Sequence, residues 1–314
     1  MLARVNRLAL RLLGGETSAW PYALIRVGLA TLVLLRTHVV DLLPMDHRAW
    51  VPGWLEYHPS RDRSAAPALH SPLGFFPALS PTLTAALTWA RTGLAALLLV
   101  GGRPRVVAGL LALVGYSLMA ADRYRYLHHL HLLWTSVALL ALCPADGRLA
   151  LRSPRRELVA RWPRQLLRLH ALAAWGYAGL AKLNGPWLRG ETLRDLHGAG
   201  LVDGPMVDAA AAALGWSGLA WGVALVELGL PVVLAIPRTR LIGVALAVLF
   251  HLGIETSVMV STFGATMLVL TVSFLPFGSS AWDSPETEGD FTPRLENGPR
   301  ADDGPMEDPT RSAD

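Results

Sequence analysis

Lys182 is the residue whose type and position most suggest chemistry. Every other basic position in the chain of 314 residues is an arginine. Arginine keeps its charge in proteins, whereas a lysine amine in an apolar pocket loses its charge readily and can act as a general base. Lys182 ends an apolar run. The alternative to a chemical role is therefore a lysine whose side chain only extends to the membrane interface beside Trp187. Because no other lysine occurs in the sequence, we favour a specific role for Lys182 and take it as the candidate base.

Further ionisable residues lie within apolar runs, where an unpaired charge is costly and a functional role is the default hypothesis. Asp122, His129 and His131 lie near the start of one run, and all three are predicted to share the membrane face of Lys182. His251 and Glu255 are spaced i, i+4, which places both on one side of a helix. The complete set of intramembrane candidates is Arg26, Arg91, His129, His131, His170, Lys182, Glu227, His251 and Glu255.

Some of these residues have structural interpretations. Arg91 and Glu227 each lie near the middle of an apolar run and have opposite charge, so we expect a buried ion pair between them. His170 lies far in depth from Lys182 and is expected to be structural. The HHLH sequence at 128–131 is either a helix start at the interface or a metal or proton-transfer group. The further histidine boxes of a diiron enzyme are missing and Cys143 is the only cysteine, so no metal site is predicted.

The composition of the chain indicates a membrane protein. Hydrophobic residues make up 52% of the sequence and charged residues 17%, which is too apolar for an ordinary soluble domain. The arginines gather in short loops between apolar runs and do not form a basic stripe with interleaved aromatics, so nucleic-acid binding is not expected. The expected partner of these arginines is the lipid bilayer.

About eight apolar windows are long enough to cross a bilayer core of roughly 30 Å. They lie near 20–40, 82–100, 106–121, 127–143, 166–183, 217–236, 241–256 and 259–276. The predicted fold class is therefore all-α, a polytopic transmembrane helical bundle with short interfacial helices. The last two windows could instead form one long kinked helix, although the polar IETS stretch and Gly264 favour a turn.

The arginine distribution predicts the orientation. With a cytoplasmic N-terminus, inner segments carry fourteen arginines and outer segments seven, as the positive-inside rule requires. The predicted location is the cell membrane, with multiple passes and both termini cytoplasmic. Residues 1–14 are predicted to form an amphipathic interfacial helix, residues 15–277 the membrane domain, and residues 278–314 a disordered acidic tail. Residues 184–215 are either a lid over the outer mouth or a plain loop.

Three segments resemble a known family. They are YAGLAKLNGPWLRGETL at 177–193, DRYRYLHHLHLL at 122–133 and FHLGIETSVMVSTFGATML at 250–268. Together they resemble the vitamin K-dependent gamma-carboxylase group and, more narrowly, its bacterial branch of HTTM (horizontally transferred transmembrane) domain proteins. The resemblance places the family's carboxylase lysine on Lys182 and its histidines on His129 and His251. Arg26 matches an arginine often seen in the first span.

The resemblance implies a chemistry. In the family, the lysine amine deprotonates a reduced naphthoquinone, oxygen adds, and the resulting strong base removes a glutamate γ-proton before carbon dioxide attacks. The implied roles are Lys182 as base and His129 as a group that orients or stabilises the acceptor. The expected substrate or quinone pocket contains His131, His251, Glu255, Trp187 and Asp122. The implied cofactor is reduced vitamin K or menaquinone, and an exported peptide or protein is a possible substrate.

Animal carboxylases continue into a large lumenal domain after the membrane region, whereas the sequence here continues into the acidic tail. Two other functions therefore remain open. One is a quinone-interacting membrane protein that does not carboxylate, in which a partner would supply any thiols. The other is a membrane scaffold or maturation factor without enzymatic activity, in which Lys182 reaches the interface.

Overall fold

The computed structural model describes residues 14–40, 79–121, 128–151, 156–257 and 262–277. Asp122, the predicted interfacial helix up to residue 13 and the predicted tail at 278–314 lie outside these described residues. Within them the chain is mainly helical, and ten α-helices are present. They are α1 (Trp20–Leu35), α2 (Pro81–Leu99), α3 (Pro104–Ala120), α4 (His128–Leu140), α5 (Trp162–Ala181), α6 (Gly185–Leu188), α7 (Glu191–Gly198), α8 (Pro205–Ala235), α9 (Arg240–Ser257) and α10 (Phe263–Thr271).

Each of the eight predicted windows contains a helix, and the all-α membrane bundle is confirmed. By length and composition, the segments Thr82–Leu99, Pro205–Ala235 and Arg240–Ser257 are able to cross a membrane, and three more apolar helices are shorter. Many leucines and valines on these helices are exposed, including Leu225, Val232 and Leu249. Such an exposed apolar surface is typical of a protein embedded in a lipid bilayer.

The last two windows form separate helices, as the polar IETS stretch predicted: α9 ends at Ser257 and α10 begins at Phe263. The window at 217–236 was too short, because α8 already begins at Pro205 and continues through a kink at Gly215. Gly215 has φ +69° and ψ 164°, a non-helical conformation that only glycine adopts readily. The kink therefore divides α8 into a short N-terminal part before Gly215 and a long apolar part after it.

A two-stranded antiparallel ribbon was not predicted. Strand β1 (Glu16–Ser18) pairs with β2 (Leu158–Ala160), with Glu16 opposite Ala160 and Ser18 opposite Leu158. The hydroxyl of Tyr22, in the first turn of α1, donates to the carbonyl oxygen of Ala160, the last residue of β2, at 2.7 Å. The ribbon therefore joins the start of α1 to the start of α5.

The helices enclose a core that contains Trp134, Trp175 and Tyr22 as its largest apolar side chains. Arg26 is also fully buried, and its guanidinium donates to the carbonyl oxygens of Leu98 and Leu99 at the end of α2. The last carbonyl groups of a helix have no partners within that helix. Arg26 therefore has a structural role: it satisfies the end of α2 and holds it against α1.

Candidate functional site

Lys182 forms an ion pair with Glu227. The Nζ of Lys182 lies 2.6 Å from Oε2 of Glu227, and the side chain of Glu227 is 4% exposed while that of Lys182 is 20% exposed. Lys182 also donates to the carbonyl oxygen of Ala178 at 3.3 Å. The amine is thus held by an acidic partner inside the bundle and does not extend freely into solvent.

The local sequence explains why these two residues meet. On α5, Trp175, Gly179 and Lys182 are spaced at i, i+4 and i+7, which places them on one face. A Cβ added to Gly179 would lie 2.7 Å from the Cγ of Leu228, so the glycine lets α5 approach α8 closely. On α8 the buried residues Ala220, Ala224, Glu227, Leu230 and Leu234 form the facing stripe. Close packing of α5 on α8 therefore presents Glu227 to Lys182.

This arrangement corrects the predicted pair between Arg91 and Glu227. Glu227 instead binds Lys182, which comes from the neighbouring helix α5. Arg91 is buried on α2 and lines a different cavity, together with Arg36, Gly115, Leu118, Met119, Leu130 and Trp134. Opposite charge and similar depth did not identify the partner, because neither shows which helices are neighbours.

Lys182 directly follows Ala181, the last residue of α5. Lys182 contacts Glu227, Trp187 contacts Ala220, and Gly190 packs on Trp216. After Lys182 the chain therefore runs along α8 from Glu227 towards the kink, over roughly 16 Å at 1.5 Å per residue. Helix α5 therefore ends beside the middle of α8, and α6 contacts Lys182 through Trp187.

We call residues 185–198, which comprise α6 and α7, the cover. The side chain of Asn184 accepts a hydrogen bond from the backbone N–H of Trp187 at 3.0 Å, which caps the first turn of α6. Trp187 then donates from Nε1 to the carbonyl oxygen of Ala220 at 3.1 Å. Its ring centroid lies 5.1 Å from the Nζ of Lys182, within the range of a cation–π contact. Trp187 therefore connects the cover both to α8 and to Lys182.

Gly190 fixes the second attachment of the cover. Its φ is +76°, and a Cβ built on it would lie 2.4 Å from the backbone carbon of Trp216. Ser217 also donates from its hydroxyl to the carbonyl oxygen of Leu188 at 2.6 Å. On the exposed surface of the cover, a hydrogen bond from Arg189 lowers the pKa of the Glu191 carboxyl. The segment predicted as a lid or a loop thus contains two short helices packed on α8.

His251 lies in a second group beside Trp175, which precedes Lys182 by about two helical turns along α5. Trp175 donates from its indole Nε1 to Nε2 of His251 at 2.9 Å, and both side chains are buried. A nitrogen that accepts from an indole carries no proton, so the neutral form of His251 bears its proton on Nδ1. The rings of Phe250 and Phe263 surround the imidazole. The Oε1 of Glu255, one turn further along α9, accepts from the backbone N–H of Ala265.

The histidines of α4 form a third group. His129 is half-buried in the first turn of α4. His131 is exposed and packs edge-to-face on Tyr116, whose hydroxyl contacts Thr135 at 2.5 Å. The Nε2 of His170 lies 3.2 Å from the hydroxyl oxygen of Ser136, so this contact joins α5 to α4. The contacts of His131 thus lie between α3 and α4, whereas Lys182 lies between α5 and α8.

The sequence pattern indicated Glu227 as an intramembrane candidate but not its position beside Lys182. The pattern that could have indicated this position is the helical spacing of small and apolar residues on α8, in which Glu227 is the one charged member. The sequence also did not indicate a polar group formed by His197, Asp203 and Asp208, whose potential ligand atoms all lie within 4.8 Å of one another. Those three residues are divided among a helix, a loop and the start of another helix.

Comparison with known proteins gives one match. The model of the HTTM domain family matches residues 71–279, which is more than half of the chain and includes the helices α2 to α10. No curated protein and no solved structure matches the sequence. The matched region contains Lys182, Glu227 and the whole cover. The chain is an integral membrane protein and belongs to the HTTM domain family.

Proposed function

We propose that this HTTM protein couples the oxygenation of a reduced naphthoquinone to proton abstraction and carboxylation, with Lys182 as the base. The observation that carries the proposal is the ion pair of Lys182 with buried Glu227, recessed beneath the cover. A lysine that only reached the interface would need no buried acidic partner. The resemblance of residues 177–193 to the carboxylase motif supports the same assignment.

Glu227 answers a difficulty in the use of a lysine as a base. A lysine bound to a carboxylate is protonated and cannot accept another proton. Transfer of that proton to Glu227 leaves a neutral amine beside a neutral acid, and both charges disappear from a site of low dielectric constant. The amine then has a lone pair for an acidic hydroxyl of the substrate. Glu227 therefore stores the proton that Lys182 must lose before it acts.

The residues around Lys182 fit a lipid-borne aromatic molecule. The side chain of Lys182 is 20% exposed, so a substrate can reach the amine. Leu180 and Leu183 are exposed apolar side chains at this end of α5. Lys182 and Trp187 would hold the quinone, which together with oxygen supplies the oxidation that creates the stronger base. The cover, through Trp187 and Gly190, limits the access of water to that base.

The arginine bias supports a topology in which the eight longer helices cross the membrane and both termini are cytoplasmic. In this topology α5 runs outward, α8 runs inward, and the cover lies on the outer side. An exported peptide or protein substrate would then meet the recessed amine from outside. Trp175 lies on the same face of α5 as Lys182 and, together with His251 of α9, would form the inner wall of the site.

The proposal is tested with purified protein in detergent that receives reduced menaquinone and oxygen, with quinone epoxide as the product measured. The parent is compared with Lys182→Ala and Lys182→Arg, and Arg194→Ala serves as a surface control. We expect epoxide from the parent and the control, and a rate at least about 100-fold lower from both Lys182 variants. Equal rates from all four proteins, or no epoxide from the parent, would contradict the proposal.

A further inference from the structure

His197, Asp203 and Asp208 bring three potential metal ligands to one point beside the cover. His197 lies in the last turn of α7, Asp203 in the loop that follows, and Asp208 in the first turn of α8. Their nearest nitrogen and oxygen atoms lie within 4.8 Å of one another. His197 is half-buried and the two aspartates are exposed. An ion could therefore reach the group without any rearrangement of the bundle.

The ring of His197 is oriented as in a metal site. Its Nδ1 lies 2.9 Å from the carbonyl oxygen of Val202. A carbonyl oxygen only accepts, so Nδ1 carries the proton and the neutral ring has its lone pair on Nε2. That nitrogen faces Asp208, with Oδ1 at 3.7 Å. Histidines that bind metals usually donate their other ring N–H to a carbonyl or carboxylate, which fixes the tautomer and the orientation of the ring.

The backbone around the group is also fixed. The N–H of Asp203 donates to the carbonyl oxygen of Ser257 at 2.8 Å, which ties the loop to the end of α9. Asp203 accepts from the N–H of Gly204 at 2.7 Å through Oδ1, and its second oxygen is available as a ligand. The ring of His197 packs on Trp216 with centroids 5.0 Å apart. Both ends of the loop are thus held while the three ligand atoms converge.

We propose that His197, Asp203 and Asp208 bind a divalent transition-metal ion of the zinc type. One imidazole and two carboxylates form a mixed nitrogen and oxygen donor set that suits Zn²⁺, with water as a fourth ligand. Mg²⁺ and Ca²⁺ favour oxygen donors alone. The ion would link α7 to the start of α8 and fasten the cover above Lys182. This inference does not rest on the proposed reaction of Lys182.

The test is a titration of the full-length protein in detergent, stripped of metal with a chelator, with Zn²⁺ in competition with a chromophoric chelator. The variants are His197→Gln, Asp203→Asn and Asp208→Asn. Asp195→Asn is the matched control, because Asp195 is an exposed aspartate on the same helix α7 outside the group. Co²⁺ is added in a parallel experiment, since its visible absorption reports a protein-bound tetrahedral ion.

We expect the parent and Asp195→Asn to bind one equivalent of Zn²⁺. Each of the other three variants should bind Zn²⁺ at least about tenfold more weakly or not at all. The Co²⁺ absorption of the parent should weaken in the same three variants. An ion pair between protonated His197 and Asp208 is the competing interpretation. Zn²⁺ binding that is absent from the parent, or equal in the parent and Asp208→Asn, would overturn the metal site.

Discussion

Lys182 and Glu227 form an ion pair with 2.6 Å between Nζ and Oε2, although one residue ends α5 and the other lies in the middle of α8. The pair exists because α5 ends halfway along its neighbour and the chain then continues as the cover. The amine of Lys182 is therefore contacted by Glu227 and by the ring of Trp187.

The first prediction concerns the stability of this pair. Lys182→Met alone leaves a buried carboxyl without its partner, and Glu227→Leu alone leaves an amine without its partner. Each single substitution should lower the free energy of unfolding by about 2–4 kcal/mol. The double variant Lys182→Met/Glu227→Leu should recover most of that loss, because no unpaired group remains. Thermal unfolding in detergent measures the cycle, and additive effects of the two substitutions would argue against a coupled pair.

A second prediction concerns the access of reagents to Lys182. Because Lys182 is the only lysine, an amine-reactive ester labels it and the N-terminal amine alone, and peptide mass spectrometry separates the two sites. Trp187→Ala removes the aromatic contact to the amine and the hydrogen bond to Ala220, so labelling of Lys182 should accelerate several-fold. Trp221→Ala is the matched control, since Trp221 is an exposed tryptophan on α8. Equal labelling rates in both variants would show that Trp187 does not protect the amine.

The third prediction concerns Gly190, the point at which the cover meets the kinked helix. Gly190→Ala puts a Cβ 2.4 Å from the backbone of Trp216 at a residue with φ +76°, and it should lower the free energy of unfolding by more than about 1 kcal/mol. Gly198→Ala is the control, because a Cβ there meets no atom within 4 Å. It should change stability by less than about 0.5 kcal/mol. Similar unfolding temperatures for the two variants would refute the close contact.

The fourth prediction concerns orientation. In a Cys143→Ala background, Ala199→Cys places a thiol on the exposed end of α7, and Arg238→Cys places one between α8 and α9. The proposed topology predicts that a membrane-impermeant maleimide labels residue 199 from outside intact cells and residue 238 only after the membrane is opened. The reverse pattern would invert the topology and move the cover to the cytoplasmic side.

The sequence predicted the helices better than their contacts. Windows of apolar residues located the eight longer helices, since each must cover its backbone with apolar side chains in lipid. The three-residue strands β1 and β2 are too short to produce a periodic pattern, so the ribbon was missed. Lys182 stood out by its residue type. Glu227 was assigned to Arg91 because charge alone does not distinguish two cations, and only the packing of Gly179 against Leu228 shows that α5 is the neighbour.

The placement of the histidines shows a second limit of sequence reasoning. His129, His131 and His251 were expected in the outer pocket with Lys182. The described contacts of His131 lie with Tyr116 and Thr135, and those of His251 with Trp175 on the helix that precedes Lys182. Similar depth along the membrane normal does not specify which helices are adjacent. His197, Asp203 and Asp208 were missed for the related reason that their approach depends on the kink at Gly215 and on the loop attached to Ser257.

The central claim is that Lys182 and Glu227 act as one catalytic unit, and an activity cycle tests it most directly. Epoxide formation from reduced menaquinone and oxygen is measured for the parent, Lys182→Ala, Glu227→Gln and the double variant. If Glu227 only stores the proton of Lys182, each single substitution should slow the reaction by about 100-fold or more, and the double variant should be no slower than Lys182→Ala. A Glu227→Gln protein with the rate of the parent, or a double variant in which the two losses multiply, would contradict the account.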